Sequence, residues 1–146
     1  MDYSSYYDVA LNDLKYLNYC IDGIDHMPEY NNVMIQEQQV CEKLLKHLVR
    51  LYVFDADVDK LLKSHKLITL VNRIEKSTGR QLEVDKDALR YLSDFYFDGR
   101  YPGVDFIVAT RKDAEKGYDI VNQVKAQVDN VVKNYKPTMK AVHLFD

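Results

Sequence analysis

The sequence predicts an all-α fold, an up-and-down bundle of about five helices in a single domain. Apolar residues recur at steps of three and four along most of the chain, which is the period of an amphipathic helix. Five such stretches follow one another, separated by turn-forming residues. Only residues 104–108 form a short run that could be extended. At 146 residues the chain is long enough for one core and too short for two comfortable domains.

The first two predicted helices cover residues 5–25 and 29–54. The first is expected to end before Pro28, because a proline disfavours helical conformation in the residue that precedes it. The second carries a wide apolar face between Val40 and Tyr52. Such a face can pack on two neighbours at once, so we expect this helix to be the central one.

Three further helices follow. Ser64 is a plausible N-cap for the third, and Gly79 stops it in the position where a left-handed residue commonly closes a helix. Residues 58–62, just before it, are expected to be either helical or loop. The fourth helix is predicted over residues 85–97 and the last over residues 110–135. In the last helix, valines at steps of three and four form a narrow seam suited to antiparallel packing.

These boundaries divide the chain into a helical domain, residues 1–136, and a C-terminal tail, residues 137–146. Apolar residues in the tail allow it to dock on the domain: Val142, Leu144 and Phe145.

The composition is that of an ordinary globular protein, for which we expect a cytoplasmic location. A net charge of −3 argues against a protein that coats DNA or membranes generically. Charged residues interrupt any secretory signal near the N-terminus, and no stretch approaches the roughly 18–20 apolar residues that span a bilayer. Cys20 and Cys41 lie on apolar faces, which indicates two buried thiols, with a disulfide as the minority alternative.

A basic stripe is expected on the second helix, opposite its apolar face. On a helical wheel its members fall within about 60° of one another: Gln39, Lys43, Lys46 and Arg50. Three cations on one stripe can hold a phosphate, and the glutamine can supply directional hydrogen bonds. The alternative is the solvated side of an amphipathic helix. Glu42 lies four residues before Lys46, the favourable order for a helical ion pair.

His65 is predicted in the first turn of the third helix. A histidine there can donate to a carboxylate, pack on an aromatic ring or contact a phosphate, and otherwise ties the loop to the bundle. Arg100 precedes Tyr101 and Pro102 in a loop that the proline makes rigid. A rigid guanidinium suits bidentate binding of phosphate or carboxylate. The alternative is an arginine that pins the loop to a helix end.

Other chemistry has little support in the sequence. The four histidines do not follow a metal-ligand pattern, and two cysteines do not make a zinc site by themselves. A glycine-rich phosphate loop and a nucleophile elbow are both missing. We therefore expect neither a metal nor a cofactor.

The order of three motifs resembles the HEPN domain family (higher eukaryotes and prokaryotes nucleotide-binding). The motifs are Gln38-Gln39 with Glu42-Lys43 and Lys46, then Ser64-His65-Lys66-Leu67, then Arg100-Tyr101-Pro102. The resemblance covers roughly residues 6–132. It implies an up-and-down helical bundle that commonly dimerises. Many members of the family are partners of minimal nucleotidyltransferases in toxin–antitoxin pairs, others bind nucleotides, and a large subset are metal-independent ribonucleases.

One departure from the family pattern shapes the functional hypothesis. Ribonucleolytic members carry an arginine followed four to six residues later by a histidine, and no arginine of this chain has a histidine in that window. We therefore expect a non-catalytic homodimer that binds a nucleotide, RNA or a nucleotidyltransferase partner through Lys43, Lys46, His65, Arg100 and Tyr101. One alternative is a ribonuclease that uses Arg111 and, seven positions on, Tyr118. The other alternative is a purely structural module for protein–protein interaction.

Overall fold

The computed structural model describes residues 5–137, and this part of the chain folds into six α-helices. They are α1 (Tyr6–Asp22), α2 (Asn31–Tyr52), α3 (Val58–Leu62), α4 (Leu67–Thr78), α5 (Lys86–Asp98) and α6 (Arg111–Asn134). A 3-10 turn, Ile24–His26, follows α1. No strand occurs within residues 5–137, which confirms the all-α prediction, and residues 104–108 lie in a loop. The predicted tail beyond Pro137 falls outside the described residues.

Helix α2 is the centre of the bundle, as the sequence predicts. It packs against each of the other five helices. For this reason 13 of its 22 residues are buried. At 100° per residue they cover about two thirds of the helix circumference, and the remaining stripe, which includes Gln39, Lys43 and Arg50, is half-buried or exposed. The valine seam of α6 packs into the same core, and it is fully or almost fully buried: Val121, Val124, Val128 and Val131.

Local capping fixes several helix ends. Ser5 and Asp85 accept hydrogen bonds from backbone N–H groups in the first turns of α1 and α5. Thr110 and Asp113 form a reciprocal capping box at the start of α6. Gly79 closes α4 with a φ of 69°, a left-handed conformation that glycine adopts without steric cost.

Cys20 and Cys41 are free and buried, as the sequence predicts. Within residues 5–137, every helix is too short or too polar to cross a membrane.

Candidate functional site

A buried polar network occupies the middle of α2. Gln38, Glu42 and Lys46 follow one another at four-residue spacing, and all three are at most 5% exposed. The Glu42 carboxylate accepts from Lys46 Nζ at 2.9 Å and from Gln38 Nε2 at 3.1 Å. Taking charges out of water is costly unless they are paired and hydrogen-bonded. The network is therefore held as one unit by the carboxylate at its centre.

His65 connects this network to the surface. Its Nδ1 lies 2.8 Å from Glu42 Oε1, and its backbone carbonyl accepts from Gln38 Nε2 at 3.0 Å. Beside a carboxylate, Nδ1 is the donor. The His65 ring is 39% exposed and stacks on Tyr96 of α5, with 4.3 Å between ring centroids. Two roles that the sequence allowed for His65, donation to a carboxylate and packing on an aromatic ring, are both present.

The predicted start of α4 was wrong by two residues, and His65 lies before the helix rather than in its first turn. The helix begins at Leu67 with Lys66 as N-cap. Ser64 Oγ accepts from the backbone N–H of Lys66 and so closes a turn in the connecting segment. The extended link allows the His65 ring to reach both α2 and α5.

Arg100 completes this chain of contacts at the surface. Its guanidinium carbon lies 4.4 Å from the centroid of the Tyr96 ring and 5.2 Å from that of the Tyr101 ring. The guanidinium donates to Tyr101 Oη at 3.3 Å. No carboxylate pairs with Arg100 within the described part of the chain. The aromatic rings hold the guanidinium in place, and its remaining N–H groups stay available to a ligand.

The structure separates the three cations of the basic stripe predicted on α2. Lys46 is 4% exposed and neutralised by Glu42, while Lys43 is ion-paired with Asp13 of α1. Among these cations only Arg50, at the far end of α2, is exposed. Lys46 lies at the edge of the stripe, where neighbouring helices bury it, while Gln39 and Lys43 are half-buried. The wheel of a single helix cannot show how many neighbours surround it. The ion pair predicted between Glu42 and Lys46 is confirmed.

The structure therefore brings together part of the predicted set of site residues. A continuous series of contacts joins Lys46 to Arg100 and Tyr101 through Glu42, His65 and Tyr96, whereas Lys43 faces α1. Sequence reasoning missed Tyr96, although its four-residue spacing from Arg100 near the end of α5 was a usable signal.

A cavity of about 540 Å³ opens beside Arg100, between the start of α2 and the loop that joins α5 to α6. Asn31 forms its rigid back wall: this buried side chain donates to the carbonyls of Gly99 and Ile107 at 3.1 and 2.6 Å and accepts from the N–H of Ala109 at 2.6 Å. Tyr30 and Phe106 add aromatic surface to the lining. A volume of this order is typical of small-molecule sites. Asn31 was not singled out from the sequence.

The alternative pair, Arg111 and Tyr118, is engaged with separate partners. Arg111 forms ion pairs with Asp25 and with Glu115. Tyr118 donates from its hydroxyl to Asn18 Oδ1 at 2.6 Å. Seven residues correspond to two turns of α6, so the two side chains share a face of the helix but are roughly 10 Å apart along its axis.

Within residues 5–137, no three histidine, cysteine or acidic side chains are grouped so that they could hold a metal ion. A family model described as the HEPN domain matches residues 3–131 of the chain. Comparison with curated proteins and with solved structures gave no match.

Proposed function

The chain belongs to the HEPN family, whose function is related to nucleotides or RNA, and from this premise we propose that it binds a nucleotide or a single RNA strand without cleaving it. The proposed site is the surface of Arg100 together with the adjacent cavity. The observation that carries the proposal is the Arg100 guanidinium, which is exposed, lies against two tyrosine rings and has no carboxylate partner in the described part of the chain.

Arg100 has the properties of a phosphate-binding arginine. Hydrogen bonds between a guanidinium and a phosphate are charge-assisted and frequently bidentate. Stacking on Tyr96 and Tyr101 restricts the long side chain before a ligand arrives, so less conformational entropy is lost on binding. The buried network helps to hold the Tyr96 ring on which Arg100 stacks, because Glu42 fixes His65 and the His65 ring stacks on Tyr96.

The cavity supplies a place for the base of the same nucleotide. Tyr30 and Phe106 are part of its lining, and aromatic side chains stack on bases of any kind. Arg100 lines the same cavity, so a phosphate held by the guanidinium places its nucleoside next to these aromatic side chains. The hydrogen bonds of Asn31 keep the loop and the start of α2 in fixed relative positions.

Replacing Arg100 with alanine should weaken the binding of 5′-mononucleotides and of a short unstructured RNA by about 10- to 100-fold. This range corresponds to the loss of a hydrogen-bonded charge contact. Calorimetric titration measures the effect. Arg50→Ala is the matched control, since it removes the same charge near the opposite end of α2, roughly 28 Å from Asn31 at a rise of ~1.5 Å per residue. We expect Arg50→Ala to leave mononucleotide affinity unchanged.

Two results would contradict this proposal. Wild-type protein that gives no heat with any nucleotide or RNA has no such site. Metal-free cleavage of the same RNA that disappears in Arg111→Ala would show a ribonuclease and replace the non-catalytic function.

The proposal includes a homodimer, which the family resemblance implies. Tyr19 and Phe54 are 77% and 80% exposed, and a second copy that covered such aromatic surface would remove it from water. Sedimentation at micromolar concentration should therefore give twice the chain mass of 17.1 kDa. A species of single-chain mass at every concentration would contradict the dimer and leave the ligand proposal standing.

A further inference from the structure

The cavity beside Arg100 carries one charged group of each sign. Arg100 is the cation, and Glu29, in the segment just before α2, is the anion. The Glu29 carboxylate is held in position because its Oε2 accepts from the backbone N–H of Asn32 at 3.0 Å. Its Oε1 has no hydrogen-bond partner within residues 5–137. The cavity wall therefore presents a positioned acceptor in addition to the guanidinium.

We infer that this cavity selects guanine, with Glu29 accepting hydrogen bonds from the base while Arg100 holds the phosphate; the inference rests on the proposed nucleotide-binding function. An ionised carboxylate only accepts hydrogen bonds. Guanine offers it two adjacent donors, N1–H and the 2-amino group. Adenine and cytosine place a ring acceptor beside their amino group, and in uracil two carbonyl oxygens flank the single N3–H, so each presents a lone pair to the carboxylate.

The aromatic part of the cavity cannot provide this discrimination. Stacking on Tyr30 or Phe106 is tolerant of sequence because every base has a π-face. Asn31 cannot provide it either, since its amide already bonds three backbone groups of the loop. Glu29 is the anion of the lining, and a group that only accepts hydrogen bonds distinguishes one base from another. The Glu29 carboxylate is exposed to water, so we expect a moderate preference.

The test compares GMP, IMP, AMP, CMP and UMP by calorimetric titration. We expect GMP to bind about tenfold more tightly than AMP, CMP or UMP, a difference of ~1.4 kcal/mol. IMP keeps N1–H but lacks the 2-amino group, so its affinity should lie between those of GMP and AMP. The second arm of the test uses two RNA hexamers that differ by a single A-to-G change. A guanine preference that appears with the hexamers and not with the mononucleotides identifies RNA as the natural ligand.

Glu29→Gln assigns the preference to the carboxylate. The glutamine oxygen can still accept from Asn32, while the amide group is no longer an anion with two accepting oxygens. The variant should bind GMP and AMP with nearly equal affinity. Glu83→Gln, an exposed glutamate before α5 and outside this cavity, is the control and should keep the GMP preference.

Different results would overturn guanine selection and nucleotide binding. If all nucleotides and both hexamers bind alike and still depend on Arg100, guanine selection is overturned and nucleotide binding stands. A guanine preference that persists in Glu29→Gln overturns the role of Glu29. If no nucleotide and neither RNA binds, both proposals fall.

Discussion

Glu37→Gln should stabilise the protein above neutral pH and flatten the dependence of its stability on pH. Glu37 is completely buried where α2 packs on α6, and neither carboxyl oxygen has a hydrogen-bond partner within residues 5–137. Burial, with a smaller effect from the negative charge of Asp119, raises the pKa of Glu37 to about 9. The folded protein therefore keeps this carboxyl protonated at neutral pH, whereas the unfolded chain ionises it.

The sign of the effect follows from proton binding. The pKa of Glu37 is raised in the folded state, so its contribution to stability is fully present below its unfolded pKa of 4.5 and is lost as pH rises toward about 9. Across this window the free energy of unfolding falls by at most about 1.4 kcal/mol per pH unit. Between pH 5 and pH 8 the wild-type protein should lose up to about 4 kcal/mol.

Glutamine has nearly the same shape and does not ionise, so Glu37→Gln removes this loss. Urea unfolding at pH 5, 6.5 and 8 measures it, with exposed Glu83→Gln as the control that should follow the wild-type curve. A wild-type free energy of unfolding that stays constant between pH 5 and pH 8 would contradict the prediction, and so would a Glu37→Gln curve as steep as the wild-type one.

Gly117 on α6 explains how a carboxyl fits at this position. A Cβ added to Gly117 would lie 2.1 Å from Glu37 Oε1, so the missing side chain provides the space. Alanine is otherwise favoured over glycine inside a helix by ~1 kcal/mol. Gly117→Ala should therefore destabilise the wild-type protein and stabilise a Glu37→Ala variant. An effect of Gly117→Ala on stability that is opposite in these two backgrounds would show, without any titration, that Glu37 packs against Gly117.

The helices were predictable because their signals are local. The valine seam of α6 and the glycine that closes α4 need no knowledge of the rest of the chain. The start of α4 was misplaced because Ser64 accepts a backbone hydrogen bond in a turn, and a serine that closes a turn has the same sequence signature as one that caps a helix.

The site was predictable only in part, for a physical reason. Periodicity shows that one side of α2 is apolar, but burial of Lys46 depends on helices that are distant in sequence. His65 is 23 residues from its partner Glu42, and spacing along the chain does not reveal such a contact. Arg100 was found because a rigid loop signal surrounds it. The cavity beside Arg100 was not predicted, because this cavity forms only when Asn31 binds the loop between α5 and α6.

Glu42→Ala should destabilise the protein by about 3–5 kcal/mol, the range found when one partner of a buried ion pair is removed. The variant leaves the Lys46 ammonium buried without its counter-charge and removes the acceptor for Gln38 and His65. Urea unfolding at constant pH measures the loss. Asp13→Ala is the control, because the side chains of Asp13 and Lys43 are 23% and 25% exposed and their pair should contribute less than the buried pair of Glu42 with Lys46.

The double variant Glu42→Leu with Lys46→Met separates the cost of an unpaired charge from the value of the pair. Apolar residues of similar volume often replace a buried ion pair without loss of stability. We therefore expect the double variant to lie within about 2 kcal/mol of the wild type, well above Glu42→Ala. His65 loses its carboxylate partner in both variants. A stable double variant that binds nucleotide more weakly than the wild type would therefore show that Glu42 positions Arg100 through His65 and Tyr96. A double variant as unstable as Glu42→Ala would instead show that polar contacts of the network, rather than charge pairing, hold this part of the core together.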